Sequence, residues 1–369
     1  MLSGDCCSRG GQRTEFGDEG RMSLSTADVL LTGASGFIGS AVLREAVRQG
    51  FRVRALVRRD SNCADLSCAG VHFIHGDLLD PASLRKACDG CRYLFHVAAD
   101  YRLSLHHGAK LLATNVAGTD HLMSEALRAG IERIVYTSSV ATLRYENGSE
   151  PVADEPDSLP LALAVGPYKR SKILAERLVL ERVRERKLPA VIVNPSAPIG
   201  PRDSRPTPTG RILVAAATGR MPAFVDTGLN LVHVEDVARG HLAALRRGRI
   251  GERYVLGGQN VALSDLLAEI ASQLGRRFRA VRLPWYAAVP AALTGEASAY
   301  LTGREPLATW TGVQLARHRM YFNTRKAERE LGYAARPYQL GVEDALRWFA
   351  ENGFFVQRSG GRGRVAVGS

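Results

Sequence analysis

A glycine-rich segment, Gly33-Ala-Ser-Gly-Phe-Ile-Gly39, constrains the fold of this chain more than any other feature. It follows an apolar run, Val29–Leu31, and opens a helical pattern of apolar residues, which predicts a strand, a tight turn and a helix. The first glycine permits the turn, the second lets the backbone approach a pyrophosphate, and the third lets helix and strand pack closely. A plain strand-to-helix turn is the alternative. The predicted dinucleotide-binding residues of this segment are Gly33, Ser35, Gly36, Phe37, Ile38 and Gly39.

Short apolar runs alternate with longer helical patterns as far as Asn194. This alternation is typical of parallel sheets with crossover helices, and it predicts an α/β, doubly wound parallel sheet. The predicted strands are 29–32, 53–57, 72–75, 93–97, 133–137 and 190–193, and the predicted helices are 37–49, 81–88, 105–129 and 166–186.

The alternation breaks after Asn194, at a proline-rich loop that leads into shorter helical segments. We predict a dinucleotide-binding domain over 28–200 and a smaller, mainly substrate-binding region over 201–356. A helix near 236–247 and a strand at 253–256 predict that residues 230–257 return to the main sheet. The ends, 1–27 and the basic 357–369, are predicted to be disordered, and both Met1 and Met22 are candidate start residues.

The formal net charge of +12 lies mainly in the body of the chain, because the two tails contribute little of it. A basic body suits phosphorylated cofactors, acidic substrates or an anionic membrane surface. Scattered arginines without interleaved aromatic residues argue against nucleic acid as a partner. No apolar run approaches the length of a membrane span, and the N-terminus lacks an apolar signal region, so we expect a cytoplasmic protein.

Six cysteines raise the question of metal or redox chemistry. Cys88 and Cys91 have dithiol spacing, but no second Cys/His pair stands at the spacing of a zinc site. We therefore predict ordinary thiols and no metal, with a redox role as the alternative.

Three polar residues indicate hydride-transfer chemistry at a carbon that bears oxygen. Tyr168 and Lys172 lie four residues apart, so on a helix they share a face, and the ammonium group is expected to lower the pKa of the phenol. Ser139 follows a predicted strand, at the sheet edge where doubly wound folds place their ligands. We predict that Ser139 holds the reacting oxygen, that Tyr168 transfers the proton, and that Lys172 supports Tyr168 and binds the cofactor ribose; Ser138 is the alternative serine.

The glycine spacing, the Tyr-x-x-x-Lys pair and the upstream serine together resemble the extended short-chain dehydrogenase/reductase superfamily, over roughly residues 28–355. The resemblance implies a Rossmann-type fold and an NAD(P)-dependent enzyme that forms a homodimer through the helices near 105–129 and 166–186. It also implies further cofactor contacts at Asp77 and Leu78, Ala98 and Ala99, Asn115, Pro195 and Ser196.

The end of the second strand bears on the choice of cofactor. An NAD site usually places a carboxylate there to bind the ribose 2′-hydroxyl, whereas this chain reads Ala55-Leu-Val-Arg-Arg59. Guanidinium groups suit a 2′-phosphate. We therefore predict NADP(H), with Arg58 as the primary contact and Arg59 as the second; NAD(H) is the alternative, in which both arginines face solvent.

Within the extended group, residues 96–101, 194–202 and 226–234 resemble hopanoid-associated sugar epimerases, which are similar in turn to dihydroflavonol reductases and β-hydroxysteroid dehydrogenases. Simple oxidation or reduction of a secondary alcohol or ketone, in hopanoid or other lipid-linked metabolism, is the favoured reaction. The small-molecule substrate is then a ketone, an alcohol, a sugar or a lipid-linked polyol. Sugar epimerisation through transient oxidation is the first alternative, and a non-catalytic dinucleotide sensor is the second.

An apolar segment, Trp285–Leu301, follows a cluster of arginines. A packed pair of cap helices is the favoured interpretation, because Pro290 and Gly295 interrupt the segment. Peripheral contact with a membrane is the alternative.

Overall fold

A computed structural model of the chain describes residues 28–356 except for 62, 64–65, 67–68, 102–107, 145–152, 291 and 296–309. Both predicted tails, Cys6, Cys7 and Cys68 lie outside the described residues, and so does most of the second half of the 285–301 segment.

Strands and helices alternate through the first two thirds of the chain, as the sequence pattern predicts. The strands are β1 Asp28–Thr32, β2 Arg52–Val57, β3 Val71–His75, β4 Tyr93–His96, β5 Arg133–Thr137, β6 Ala190–Pro195, β7 Ala197–Ile199, β8 Ala223–Val225, β9 Gly228–His233, β10 Arg253–Leu256, β11 Gln259–Ala262, β12 Val281–Leu283 and β13 Arg319–Met320. The helices are α1 Phe37–Arg48, α2 Pro81–Cys88, α3 Gly108–Leu112, α4 Gly118–Arg128, α5 Gly166–Arg186, α6 Pro208–Ala217, α7 Val234–Arg247, α8 Leu263–Gln273, α9 Trp310–Leu315, α10 Arg325–Leu331 and α11 Tyr338–Glu351. Short 3₁₀ turns occupy Val140–Thr142, Leu161–Leu163 and Trp285–Ala288.

The central sheet has seven strands in the order β3-β2-β1-β4-β5-β6-β10, and every neighbouring pair is parallel. One apolar core packs α1 and α7 against one face, and a second packs α2, α4 and α5 against the other. Central strands covered on both faces bury nearly every residue, and β4 and β6 do so along their whole length. The predicted doubly wound, Rossmann-type fold is confirmed.

The last strand of this sheet is β10, which pairs with β6 from Arg253 opposite Ile192 to Leu256 opposite Pro195. The chain reaches it through α7, which packs on α1 across the sheet face. Residues beyond position 200 therefore supply both a helix and an edge strand to the main sheet.

The part of the chain after residue 196 contains small sheets that the sequence analysis did not predict. Strand β9 pairs with β7, β11 and β13, and β12 pairs with β8. Helices α6, α8 and α11 pack over them around a third apolar core. Several of these strands have only two or three residues, which is too short to show an alternating pattern.

One predicted helix, 105–129, is wrong in detail. Residues 105–107 lie outside the described part of the chain, α3 begins at Gly108, and a π-helical turn at Ala113–Ala117 separates α3 from α4. Within the described ranges, no helix combines the length and the apolar character needed to cross a membrane.

Candidate active site at the carboxyl edge of the sheet

The loop between β1 and α1 approaches its neighbours so closely that side chains cannot be accommodated. Gly33 has φ +80°, and a Cβ placed there would lie 2.6 Å from the backbone nitrogen of Ala98. A Cβ at Gly39 would lie 1.9 Å from the carbonyl oxygen of Gly33. The N-cap of α1 is Gly36, which makes no side-chain capping bond, so the N–H groups of the first turn face the open end of the helix. These features fit the pyrophosphate of a dinucleotide.

The remaining residues of the glycine loop divide into an exposed and a packed pair. Ser35 and Gly36 are exposed at the turn, whereas Phe37 and Ile38 are partly buried against the core beneath α1. The loop therefore presents backbone and a hydroxyl to the cleft and anchors itself through apolar side chains.

A buried histidine fixes the segment that follows β4. His96 is hydrogen bonded to Thr32 Oγ1 at 2.8 Å and to Thr119 Oγ1 at 2.9 Å, and Thr32 Oγ1 also accepts from the Ala98 backbone N–H at 3.2 Å. Burial lowers the pKa of His96 to about 3, so the ring is neutral. Sequence reasoning did not assign a role to His96 or to the two threonines, although a polar residue at the end of a buried strand was the available signal. Ala99, next to Ala98, is exposed at the cleft.

Arg58 and Arg59 are exposed directly after β2. Because Thr32 pairs with Leu56, these arginines lie at the same sheet edge as the glycine loop. The Arg58 guanidinium lies 3.7 Å from the Asp60 carboxylate, and both side chains are largely exposed. Our prediction placed no carboxylate at the end of β2. This was wrong, because the Asp60 carboxylate lies there beside Arg58.

The next strand end contributes Asp77 and Leu78. Asp77 is exposed and accepts a hydrogen bond from the Leu79 N–H at 2.8 Å, which holds the carboxylate in a local turn. Leu78 is buried against Gly118 at the start of α4.

The three predicted catalytic residues converge at the ends of β5 and α5. Ser139 follows β5 and caps the 3₁₀ turn, where its Oγ accepts from the Ala141 N–H at 3.1 Å. Tyr168 stands in the first turn of α5, and the Ser139 side chain acts on its hydroxyl and lowers its pKa. Ser138, the alternative serine, points elsewhere: its Oγ is buried and has no hydrogen-bond partner among the described residues.

The electrostatics differ from the sequence-based expectation. Burial raises the pKa of Tyr168 well above its usual value, Tyr101 raises it further, and the Ser139 side chain opposes the shift. The Lys172 Nζ donates to the Thr137 carbonyl at 2.8 Å and lies 5.5 Å from the Tyr136 ring centre. That Lys172 lowers the pKa of Tyr168 stays a prediction. Burial lowers the pKa of Lys172 itself to about 8.

Asn115 lies in the π-helical turn and is almost fully buried. Its side chain accepts from the Asp100 N–H at 2.7 Å and donates to the Asp100 carbonyl and to Ser171 Oγ, each at 3.0 Å. Asn115 thus ties the loop after β4 to α5, and π turns of this kind are frequent at functional sites. Nearby, the Tyr101 ring meets the Tyr168 ring edge to face at 4.3 Å.

The loop after β6 lies at the same carboxyl edge of the sheet. Pro195 ends the strand in a buried position, and the Ser196 N–H donates to the Leu256 carbonyl at 3.2 Å. Ser196 Oγ is buried without a partner among the residues the structure describes. An orphaned hydroxyl at a cleft wall is a ready partner for a bound polar group.

The thiols in the described part of the chain lie apart from this cleft. The Cys63 and Cys91 thiols each donate to a backbone carbonyl, and burial raises the pKa of Cys88 to about 12, which makes it an unreactive thiol. Across the described ranges, no group of three His, Cys, Asp or Glu side chains is arranged to hold a metal ion.

Two hydroxyl groups, from Ser139 after β5 and Tyr168 on α5, thus meet at the carboxyl edge of the sheet. Strand β5 pairs with β4, which pairs in turn with β1, the strand that precedes the phosphate loop. A carbonyl or alkoxide oxygen placed between them receives two hydrogen bonds, and the phenol has a proton to give or take.

Comparison with known proteins agrees with this geometry. The profile of the NAD dependent epimerase/dehydratase family matches residues 29–257. A protein of Synechocystis sp. named "Putative dihydroflavonol 4-reductase" is 39% identical over 328 residues, or 88% of this chain and 95% of that protein. Sterol demethylase protein B of Methylococcus capsulatus is 32% identical over 334 residues, or 88% of this chain and 98% of that protein.

A solved structure shares both the fold and much of the sequence. The crystal structure of gox2253 superposes with a TM-score of 0.79 at 45% identity, covering 89% of this chain and 99% of that chain. The protein is therefore an NAD(P)-dependent oxidoreductase/epimerase, and it belongs to the NAD-dependent epimerase/dehydratase family.

Proposed function

We propose that this protein is an NADP(H)-dependent oxidoreductase that interconverts a ketone and a secondary alcohol. The observation that carries the proposal is that the Ser139 side chain acts on the Tyr168 hydroxyl at the sheet edge that also bears the glycine loop. A sensor without turnover has no need of an aligned hydroxyl pair beside Lys172.

In the reduction we propose, the substrate carbonyl oxygen accepts hydrogen bonds from the hydroxyls of Ser139 and Tyr168. The nicotinamide, when bound, supplies the hydride to the carbonyl carbon. The C=O π electrons become a lone pair on oxygen, and Tyr168 gives its phenolic proton to that oxygen, leaving a phenolate. Lys172, which lies one helical turn away, carries the positive charge that stabilises the phenolate. Oxidation of the alcohol follows the same path in reverse.

Replacement of Tyr168 by Phe tests this assignment, because it removes the proton and keeps the ring. We expect NADPH binding to survive and ketone-dependent NADPH oxidation to fall by about 10²–10⁴-fold. Tyr338→Phe, far along the chain at the start of α11, is the matched control and is expected to behave like the parent. Suitable probes are taxifolin, a dihydroflavonol, and cholestenone, a ketosteroid, chosen from the names of the relatives. A parent that binds NADPH but oxidises it with neither ketone would contradict the reductase proposal.

The preference for NADP(H) is supported by the two exposed guanidinium groups at the end of β2. Charge-assisted, bidentate hydrogen bonds from arginine match a 2′-phosphate. Asp60 favours the opposite choice, since its carboxylate can accept from a ribose 2′-hydroxyl, but the Arg58 guanidinium lies 3.7 Å from it and is also available to a phosphate. Fluorescence titrations with NADPH and NADH decide between the two, and tighter binding of NADH would reject the preference.

Sugar epimerisation is the second candidate, and the family profile favours it. An epimerase returns the hydride it removes, so it consumes no cofactor overall. If UDP-sugars are interconverted without net NADPH oxidation, and the two ketones are not reduced, the epimerase replaces the reductase.

We also propose that the substrate is apolar and lipid-linked, as the name of the sterol demethylase relative suggests, and that the protein contacts a membrane surface from the cytoplasm to obtain it. The structure offers large exposed apolar side chains in one short stretch, namely Phe278, Val281, Tyr286 and Leu293. Exposed arginines accompany them, namely Arg276, Arg277, Arg279 and Arg282. No acidic residue occurs between 270 and 295, which suits an anionic bilayer.

Vesicle co-sedimentation tests the membrane contact. The double variant Arg277→Glu, Arg279→Glu is expected to lose at least 10-fold in affinity for phosphatidylcholine vesicles containing phosphatidylglycerol, at about 1 kcal/mol for each basic residue removed. Arg184→Glu with Arg186→Glu, at the exposed end of α5, is the control. Equal binding by both double variants would contradict the proposed surface.

A homodimer remains our proposal for the assembly. The apolar side chain of Leu112, on α3, is 38% exposed and is available to a second copy of the chain. Light scattering that gives the mass of one chain would contradict it.

A further inference from the structure

One buried carboxylate links the catalytic face of α5 to the loop that carries Ser139. Glu176 follows Tyr168 and Lys172 at intervals of four residues on α5, and only 3% of it is exposed. Its Oε2 accepts from Thr142 Oγ1 at 3.0 Å and from Asn194 Nδ2 at 2.8 Å. Its Oε1 accepts from the Arg253 guanidinium at 3.1 Å.

Both partners of Oε2 also hold the main chain of Ser139. Thr142 Oγ1 lies 2.9 Å from the Ser139 carbonyl oxygen, and Asn194 Nδ2 lies 3.0 Å from the same atom. Asn194 Nδ2 is in addition 3.1 Å from Thr142 Oγ1. The carboxylate therefore orients Thr142 and Asn194, whose side chains bind the main-chain carbonyl of Ser139. The Ser139 hydroxyl faces Tyr168.

A carboxylate matches the donors at this place. Thr142 has one hydroxyl proton and Asn194 has two amide protons, and these three protons are shared among the Ser139 carbonyl, Thr142 Oγ1 and the Glu176 carboxylate. An ionised carboxylate accepts only, and so it matches them. A glutamine would present N–H groups to a hydroxyl and an amide that already donate, which leaves buried donors facing one another.

We propose that Glu176 is a positioning residue for the reaction: it holds Ser139 against Tyr168 and places a negative charge one helical turn from the ammonium of Lys172. This inference rests on the proposed function, because Ser139 and Lys172 have these roles only in hydride transfer to or from a C–O carbon.

The second half of the proposal concerns the charge on Lys172. Around its ammonium lie the Thr137 carbonyl and the Tyr136 ring on β5, His96 on β4, and Glu176 on its own helix. Burial lowers the pKa of Lys172 to about 8, and Glu176 acts in the opposite direction. Loss of the carboxylate charge therefore lowers the pKa of Lys172 further and leaves it less protonated near neutral pH.

The test compares Glu176→Gln with Glu125→Gln. Glu125 is an equally buried, ion-paired carboxylate, but it lies on α4 and pairs with Arg85 and Arg128 away from Ser139. For Glu176→Gln we expect ketone-dependent kcat to fall by about 10–100-fold with little change in NADPH affinity. We also expect the pH above which reduction declines to move downward. Glu125→Gln is expected to keep the parental kcat and pH profile even where it lowers the melting temperature.

A readout without turnover accompanies this comparison. In protein labelled with ¹³Cε-lysine, the Lys172 resonance, assigned through Lys172→Arg, reports its protonation. Glu176→Gln is expected to titrate at lower pH than the parent, and Glu125→Gln at the parental pH. An unchanged Lys172 titration together with a parental kcat in Glu176→Gln would overturn the inference.

A second pair of variants covers the case in which Glu176→Gln does not fold. Thr142→Val removes the hydroxyl that joins Glu176 to Ser139, and Thr142→Ser keeps it. We expect Thr142→Val to lose kcat and Thr142→Ser to retain it; equal activity of the two would reject the positioning of Ser139. If the parent protein reduces neither ketone, the proposed function is wrong. If the parent is active and the Glu176 and Thr142 variants have the same activity as the parent, only the present inference is wrong.

Discussion

The phosphate loop after β1 and the arginine-rich surface around β12 are both predicted to contact ligands, yet their geometry is determined in different ways. In the phosphate loop the backbone itself lies within van der Waals contact of its neighbours, so that Gly33 and Gly39 leave no room for a side chain. Around β12 most side chains are exposed, and two arginines share one carboxylate, Asp226. A rigid backbone site tolerates no substitution, whereas an exposed side-chain surface loses affinity in small steps.

The largest effect is expected at Gly39, where a substitution tests directly whether the phosphate loop is rigid. Gly39→Ala places a methyl group against the Gly33 carbonyl, which forces α1 away from β1. We expect NADPH binding to weaken more than 100-fold and stability to fall by about 2–3 kcal/mol. Gly108→Ala is the control, because its methyl group would meet Pro167 at an ordinary 3.5 Å. NADPH titration and thermal unfolding measure both; parental binding by Gly39→Ala would show that the loop is not rigid.

Acid is expected to weaken the sheet that carries the loop. The pKa of His96, about 3 in the folded chain, lies below its ordinary value of 6.5, so between these values the unfolded chain binds a proton that the folded chain does not. Stability is therefore lost as pH falls through this window, by about 3 kcal/mol at pH 4 from this group. Urea unfolding at pH 7 and pH 4 measures the loss. His96→Gln should reduce it, and His75→Gln, on the exposed edge of β3, should not.

The adjacent serines Ser138 and Ser139 allow a second comparison, between a hydroxyl that contacts Tyr168 and one that does not. Ser139→Ala removes a hydroxyl that contacts Tyr168, and we expect kcat for ketone reduction to fall by about 10²-fold. Ser138→Ala removes a buried hydroxyl that has no hydrogen-bond partner in the described part of the chain, and it should keep activity within a few-fold of the parent. The reverse order of effects would mean that the serine assignment is shifted by one residue.

The smallest effects are expected from the exposed arginines. Arg58→Ala and Arg59→Ala should each weaken NADPH binding by about 10-fold and leave NADH binding unchanged, because one charge-assisted hydrogen bond contributes about 1.5–3 kcal/mol before solvent screening. Arg277→Ala, on the surface beyond α8, should change neither affinity. Equal losses for both cofactors would show that these arginines do not contact a 2′-phosphate.

The main sheet was predictable because its signals are local. The six predicted strands lie within one or two residues of those observed, since buried parallel strands read as apolar runs bounded by turns. The small sheets around β9 were not predictable, because strands of two or three residues are stabilised by partners far along the chain rather than by their own pattern. The π turn at Asn115 likewise gives no local signal in the sequence.

The active site also combines features that local sequence predicts with features that depend on distant segments. Tyr168 and Lys172 lie four residues apart, and helical periodicity then places them on one helix face. This spacing can be read directly from the sequence. The partners of Lys172 cannot be read in this way: its ammonium binds the Thr137 carbonyl, and burial rather than Tyr168 dominates its pKa. Desolvation depends on every atom packed around a group, so no spacing rule predicts it.

From its residues alone this chain can be assigned a doubly wound sheet, a phosphate loop and three residues for hydride transfer, because helix and strand periods and glycine sterics act over a few residues. Only the tertiary structure decided that Ser139 rather than Ser138 meets Tyr168, that Asp60 lies beside Arg58, and that Glu176 reaches the Ser139 loop through Thr142 and Asn194. These choices depend on hydrogen-bond geometry and burial between segments distant in the chain, which the fold alone brings together.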